Sequence, residues 1–381
     1  MSRATTALVV PELNGSFELK QVYLDTIQPD EVLVEIHATG VCHTDLACAA
    51  GHLPCAPGAV LGHEGAGIVL EIGSGVTSVA PGDKVLLSFS SCETCDLCTS
   101  AHPAYCRTFN DRNFGGQRAT PPPSGTSPRA MRASENGEPI FSSFFGQSSF
   151  ARHALVHRSS CVRVEPTTDL DLFAPLGCGM QTGAGAVLNS LDVKEGSSVA
   201  VFGVGSVGMA AVMAAKLRKA KVIIAVDLHQ SRLDLAMRLG ATHGVIGSDK
   251  DVVEQIRKIV PPMGVDFAVD CSGVPAVIRT MIDALGVKGR ASTVGAPGFG
   301  VCASVDVMSH LTYGKEYVGC TEGDSNPSVF LPYLMEMHAK GQFPMEEFIT
   351  YYDVKDFAKA IEDTKKGRVI KAVLRWGSIQ E

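Results

Sequence analysis

SSVAVFGVGSVGMAAVMAAKLRKAKVIIAVD, residues 197–227, is the stretch from which the fold can be read. SSVAVFG (197–203) is an apolar run of strand length, and a helix-like stretch follows it to about Arg218. KVIIAVD (221–227) is a second strand that closes on an acid. Between strand and helix stands Gly203-Val204-Gly205-Ser206-Val207-Gly208. The first glycine permits a tight turn, the second lets the backbone approach a pyrophosphate, and the third lets the helix pack closely. The helix N-terminus adds partial positive charge. Asp227 lies 19 residues beyond Gly208, where an acid can accept hydrogen bonds from an adenosine ribose. A glycine turn that binds nothing, or one that binds S-adenosylmethionine, is the competing reading; the order of strand, helix and acid favours a dinucleotide. An anionic Asp227 also repels a 2′-phosphate, so NAD is expected in preference to NADP.

Outward from this unit the pattern continues downstream. SRLDLAMRLG is a helix ending at Gly240, and apolar runs follow at HGVI (243–246), VDFAVD (265–270) and RASTVG (290–295). Strand alternating with helix predicts a parallel, doubly wound sheet. Beyond residue 325 come a helical stretch at 328–340, a further helical segment and a last strand, VIKAVLRW (369–376). Upstream the texture differs. EVLVEIHATG (31–40), AGIVLEIG (66–73) and KVLLSF (84–89) are short β-like runs punctuated by Gly and Pro, and MSRATTALVV reads as a first strand rather than a secretory leader. Residues 111–140 carry Pro, Gly, Ser and Arg without periodicity and are expected to form a long surface loop.

A net charge of −7 argues against a nucleic-acid or anionic-membrane partner, and no apolar run is long enough to span a bilayer. A cytoplasmic location is expected. In that reducing setting the twelve cysteines suggest metal before disulfide. Cys92, Cys95, Cys98 and Cys106 place four thiols within 15 residues, the clustering a tetrahedral all-cysteine zinc site needs. An iron–sulfur cluster is the competitor, but the ferredoxin run has a gap of three before its last cysteine and then Pro. Here the gap is seven and Arg107 follows. Four thiolates leave no position for substrate, so such a site is structural. A second set is dispersed: Cys42-His43-Thr44-Asp45, Gly62-His63-Glu64 and Gly177-Cys178-Gly179. Cys48, Cys55, Cys161, Cys271, Cys302 and Cys320 lack ligand spacing and are expected to be buried apolar fillers.

Taken together, Gly40-Val41-Cys42-His43-Thr44-Asp45, Gly62-His63-Glu64-Gly65, the four-cysteine loop, Gly177-Cys178-Gly179 and the GVGSVG turn closely resemble the zinc-containing alcohol dehydrogenases of the medium-chain dehydrogenase/reductase superfamily. The resemblance runs over nearly the whole chain. It implies a GroES-like catalytic domain at 1–180, a Rossmann domain at 181–325, and a segment at 326–381 returning to the first domain. It implies one catalytic and one structural zinc per subunit, with Cys42, His63 and Cys178 holding the catalytic ion. Thr44 would take the substrate proton, Asp45 would orient His63, and Glu64 would be the acid behind the metal. His43 and Lys371 would bind the coenzyme pyrophosphate, Thr182 would flank the nicotinamide, and Arg232 would lie near the adenosine ribose. The glycine turn, Val207 included, would cradle the coenzyme. Many animal members end their proton relay on a histidine five residues after the first zinc cysteine; here that position is Ala47, and His52 is out of register.

GCGMQTG (177–183), FFGQS (144–148) and TEGD (321–324) look like the aryl- or benzyl-alcohol dehydrogenase branch, which points to a primary aromatic or allylic alcohol or its aldehyde. A zinc-dependent aldehyde or ketone reductase of the same fold is the alternative. A zinc-loop interaction protein with a redox-sensing Rossmann half is a third, and the absence of a Lys/Arg cluster beside Cys92–Cys106 speaks against it. The family forms homodimers and homotetramers, and one or the other is expected.

Overall fold

The computed structural model describes residues 3–120 and 127–379. The chain divides into two compact units, one made of Met1–Cys178, Asn326–Tyr333 and Glu346–Glu381, the other of Gly179–Ser325 and Leu334–Met345.

In chain order the first unit begins with β1 (Arg3–Val10), β2 (Glu18–Leu24), β3 (Glu31–Gly40), α1 (His43–Ala49), β4 (Ala59–Val60), β5 (Gly65–Ile72) and β6 (Lys84–Leu87). There follow α2 (Asp96–Thr99), α3 (Phe109–Phe114), β7 (Met131–Arg132), β8 (Pro139–Ile140), β9 (His153–His157), β10 (Cys161–Val164) and α4 (Leu170–Phe173). Strand β3 organises the unit. It pairs antiparallel with β5 through residues 32–39 and with β9 through residues 31–35. Both of its edges are therefore occupied, and Val32, Val34, Ile36 and Ala38 are fully enclosed. The strand delivers the chain directly to Cys42.

The second unit carries α5 (Gly179–Gly185), β11 (Ser198–Phe202), α6 (Ser206–Leu217), β12 (Val222–Asp227), α7 (Gln230–Leu239) and β13 (His243–Ile246). It continues with α8 (Val252–Ile259), β14 (Val265–Asp270), α9 (Pro275–Asp283), β15 (Leu285–Thr293), α10 (Val307–Tyr313) and β16 (Glu316–Gly319). Its six strands lie in the order β13-β12-β11-β14-β15-β16, all parallel, so the doubly wound sheet expected from 197–227 is what forms. Helix α7 stops at Gly240, whose φ of 138° an L side chain adopts only under strain.

The last elements are α11 (Pro327–Ala339), β17 (Ile349–Asp353), α12 (Phe357–Lys365) and β18 (Lys371–Arg375). β18 pairs with the end of β3, Val373 opposite Gly40, which places Lys371 near Val41. Residues 334–345 cluster with the second unit, although they fall in the stretch expected to return to the first.

Two expectations need correcting. Residues 111–140 are not simply a surface loop. Strand β7 pairs with β2 and β8 with β7, extending the sheet β4-β1-β2-β7-β8, and Asn113, Ala130 and Met131 are buried. Asn113 is held because its side chain bonds both backbone groups of Ser90, a long-range demand that leaves no periodicity to read. Residues 121–126 of the same stretch lie outside the described residues. Among the six other cysteines, Cys48 and Cys320 are buried as expected, but Cys55, Cys161 and Cys271 are half-buried and Cys302 is exposed. Cys302 sits in an irregular connection after β15, in an exposed run that includes Phe299 and Val301. No helix among the described residues is long and apolar enough to cross a membrane.

Candidate metal and coenzyme sites

The four-cysteine loop closes on itself within the first unit. The sulfurs of Cys92, Cys95, Cys98 and Cys106 all lie within 4.8 Å of one another. The Cys95 N–H donates to Cys92 Sγ at 3.2 Å and the Cys92 N–H to Cys106 Sγ at 3.3 Å, so the backbone itself aims the sulfurs inward. Burial opposes ionisation of Cys92, but donors from Thr94 and the Cys95 N–H outweigh it and bring the thiol down to about 6. Burial pushes Cys98 up to about 12. Four converging sulfurs, none in a disulfide, match the donor set of a closed tetrahedral zinc site.

The dispersed set also converges. Cys42 ends the β3 connection and caps α1, His63 precedes β5, and Cys178 follows α4, yet their ligand atoms lie within 4.8 Å of one another. Asp45 ties two of the three together. Its Oδ1 accepts from His63 Nδ1 at 2.9 Å and from the Gly62 N–H at 3.0 Å, and its Oδ2 accepts from the Cys42 N–H at 3.0 Å. With Nδ1 committed to the carboxylate, His63 presents Nε2 as a lone pair. That atom is fully buried and makes no hydrogen bond. A buried imidazole nitrogen beside two sulfurs fits a zinc ion with a fourth position open. Cys42 is held well below the ordinary thiol range, chiefly by its hydrogen bond with Cys178 and further by His63, against the opposing effect of burial.

Around this centre the remaining expected residues take distinct places. Thr44 is half-buried in the first turn of α1 with its hydroxyl 3.7 Å from Cys42 Sγ, while His43 is exposed beside it. Ala47 is buried and offers no proton acceptor. Glu64 is fully buried, and Lys371, 2 % exposed, pairs with it at 2.5 Å and also donates to the Val41 carbonyl. Burial raises the Glu64 carboxyl and the Lys371 ammonium opposes that rise. These partners were not foreseen when Lys371 was expected at a pyrophosphate; its ammonium is engaged inside the first unit by the acid next to His63.

Sequence reasoning missed the aromatic shell. The Phe145 ring stacks on His63 with centroids 4.5 Å apart, Phe144 meets the same imidazole edge-on at 5.4 Å, and Phe114 packs on both phenylalanines. FFGQS was noticed as a motif, but no local pattern says what its rings touch.

In the second unit the glycine turn has the geometry its spacing implies. Gly203 has φ 85°, and a Cβ on Gly208 would lie 2.0 Å from the Gly203 carbonyl oxygen, whereas a Cβ on Gly205 would meet nothing within 4 Å. That open face is a cradle for a ligand's phosphates. Asp227 accepts from the Val204 N–H at 2.9 Å and the His229 N–H at 3.0 Å, and Arg232 lies 3.8 Å from its carboxylate. Arg232 Nε is buried without a hydrogen-bond partner, as a group awaiting a polar ligand would be. Helix α5 packs on the start of α6 so closely that a Cβ on Gly183 would fall 1.9 Å from the Val207 carbonyl oxygen, which sets the neighbouring Thr182 near the glycine turn.

Comparison with known proteins finds two families along the chain. The alcohol dehydrogenase GroES-like domain family matches residues 28–166, and the zinc-binding dehydrogenase family matches residues 206–339. Geraniol dehydrogenase of Castellaniella defragrans is 36% identical over 369 residues, covering 97% of this chain and 96% of the relative. An alcohol dehydrogenase zinc-binding domain protein from Burkholderia ambifaria superposes with a TM-score of 0.93 at 44% identity, covering 98% of this chain and 99% of that one. Benzyl alcohol dehydrogenase from Acinetobacter calcoaceticus does so with a TM-score of 0.91 at 39% identity, with the same coverage.

Proposed function

The chain belongs to the zinc-containing alcohol dehydrogenases of the medium-chain dehydrogenase/reductase superfamily, and from that membership we propose that it interconverts primary aromatic or allylic alcohols and their aldehydes, with NAD as its coenzyme. The observation that carries the chemistry is the buried Nε2 of His63, freed by Asp45 and set beside Cys42 and Cys178.

Cys42, His63 and Cys178 would hold the zinc, which would supply Lewis acidity that lowers the pKa of an alcohol hydroxyl by several units. NAD, cradled by the glycine turn Gly203–Gly208, would supply the hydride acceptor for the two-electron oxidation of an alcohol to its aldehyde. The protein's own residues do the rest. Asp45 fixes the imidazole tautomer and stabilises its orientation. Thr44, its hydroxyl 3.7 Å from Cys42 Sγ, would accept the substrate's proton and pass it on, and with Ala47 in place of a histidine the proton must leave through water or another base. The buried Glu64–Lys371 pair is a charge-balanced wall beside the ligands. Asp227 supports NAD over NADP, because its carboxylate at the end of β12 would repel a 2′-phosphate.

The aromatic or allylic preference rests on the substrates that two relatives are named for, geraniol and benzyl alcohol. A homo-oligomer fits the exposed apolar side chains of Phe299, Val307, Met308 and Leu311, which precede the edge strand β16 with its one unpaired side. A cytoplasmic location is part of the same proposal.

The test is a panel of benzylic, allylic and short aliphatic alcohols assayed with NAD and then NADP at the reduced-nicotinamide absorbance band. Benzylic or allylic substrates should lead the short aliphatic ones in kcat/KM by at least about tenfold with NAD, the ratio worth about 1.4 kcal/mol of binding. Equal rates across the panel, or a preference for NADP, would remove the substrate or coenzyme assignment.

A further inference from the structure

Segment 143–148 has a backbone no sequence adopts cheaply. Ser143, Phe145 and Ser148 have φ of 60°, 53° and 51°, the left-handed region that side chains with a Cβ avoid. Such residues persist only where the surroundings over-determine them. The surroundings here are the segment carrying His63. Ser148 Oγ donates to the Val60 carbonyl at 2.7 Å, the Phe150 N–H to Leu61 at 3.0 Å and the Ser149 N–H to Gly62 at 2.9 Å. At His63 itself the backbone ladder stops and a side chain takes over. Gln147, fully buried, donates from Nε2 to the His63 carbonyl at 3.0 Å and to the Ser88 carbonyl at 3.0 Å, and its Oε1 accepts from the Gly65 N–H at 3.1 Å. The imidazole of the same residue is covered by the Phe145 ring, stacked at 4.5 Å with planes 26° apart.

We propose that Gln147 and Phe145 are positioning residues for the zinc ligand His63, one fixing its backbone and the other its ring, and that the left-handed turn exists to bring both to bear on it. The inference rests on Cys42, His63 and Cys178 being the ligands of the catalytic ion. Asp45 sets the tautomer and the azimuth of the ring by one bond at Nδ1; Gln147 sets where the ring starts from, and Phe145 limits its tilt. Loss of either loosens the metal without touching a ligand. Groups that orient metal ligands are worth about 10–100-fold in metal affinity.

The experiment uses the zinc-loaded full chain. Gln147→Met keeps the side chain's length and removes all three hydrogen bonds; Phe145→Leu keeps an apolar filler and removes the stack, and it remains informative if the first variant folds badly. Zinc release to a chelator is followed for each ion, and the cobalt-substituted protein is recorded by visible absorption. The expected result is release of the catalytic ion faster by about 10–100-fold, with the four-cysteine ion unchanged and the cobalt bands of the catalytic site shifted. Release of both ions accelerated in step, with cobalt bands unmoved, would mean that these residues serve general stability and would overturn the proposal. Unchanged release with unchanged bands would overturn it as well. Should the parent protein bind one ion only, at the four-cysteine loop, the ligand assignment itself fails and the clamp with it.

Discussion

The two cysteine-containing sites of the first unit reach the same kind of donor cluster by opposite routes. The loop Cys92–Cys106 is local: its N–H groups aim its own sulfurs, and its ligands come from 15 consecutive residues. The set Cys42, His63 and Cys178 is assembled by the fold. Strand β3 brings the first ligand, the connection from β4 to β5 the second and the end of α4 the third, with Asp45 and Gln147 as ties between segments. A local site can be saturated with ligands and depends little on the rest of the chain. An assembled site can leave one position open, because the fold and not the metal supplies its rigidity. The contrast predicts that damage to the assembled site removes chemistry and spares folding, whereas damage to the loop does the reverse.

The sharpest break is His63→Ala. Turnover should fall by about a hundredfold to a thousandfold, in line with the loss of a group that stabilises the reacting centre, while the loop keeps its zinc and the melting temperature moves little. Parallel zinc analysis and steady-state kinetics check this; a variant that loses both ions would erase the distinction between the sites.

Cys98→Ser attacks the other side of the comparison. A loss of about 3 kcal/mol lowers the melting temperature by roughly 6–12 °C in a unit of this size, and kcat measured at low temperature should stay near that of the parent. Calorimetry with matched activity assays would show it, and an early collapse of kcat with Tm unchanged would contradict it.

Asp45→Asn sharpens the comparison more gently. The side chain still fills its place but no longer stabilises the imidazole electrostatically, so affinity at the assembled site should drop by about 10–100-fold and loop affinity not at all. Competition with a graded chelator reads both constants.

A last effect, confined to the pH dependence of stability, lies outside both sites. Burial pushes Glu31 up from 4.5 to about 7, while Arg118 opposes the shift. The folded state therefore holds this proton more tightly than the unfolded chain. Its contribution is full below pH 4.5 and is lost as pH rises through about 7. Glu31→Gln should flatten the pH dependence of stability in that window by at most about 3 kcal/mol, with zinc content unchanged. Denaturation at several pH values measures it; a slope identical to the parent's would show that Glu31 ionises freely in the fold.

The same contrast explains what could be read in the sequence. The parallel sheet of the second unit was legible because its central strands β11 and β12 are continuous apolar runs, and the glycine turn because its three glycines answer three separate steric demands within six residues. The four-cysteine loop was legible for the same local reason. The assembled site became legible only through likeness to a family, since Cys42, His63 and Cys178 are separated by 20 and 114 residues and carry no spacing signal. What stayed hidden has long-range causes. Asn113 is buried for the sake of Ser90, Lys371 is turned to Glu64 by the pairing of β18 with β3, and the Phe145 ring is laid on His63 by a left-handed turn. None of these partners lies within reach of a periodicity.

The central claim, an assembled zinc site that does chemistry beside a local one that does not, is tested most directly by counting zinc per chain while turnover is followed through stepwise chelation. Two ions are predicted at the start. Removal of the first should abolish alcohol oxidation while the second stays bound and the protein stays folded, and restoring zinc should bring turnover back. Turnover that survives removal of the first ion, or a protein that carries only the loop's ion and is fully active, would contradict the account.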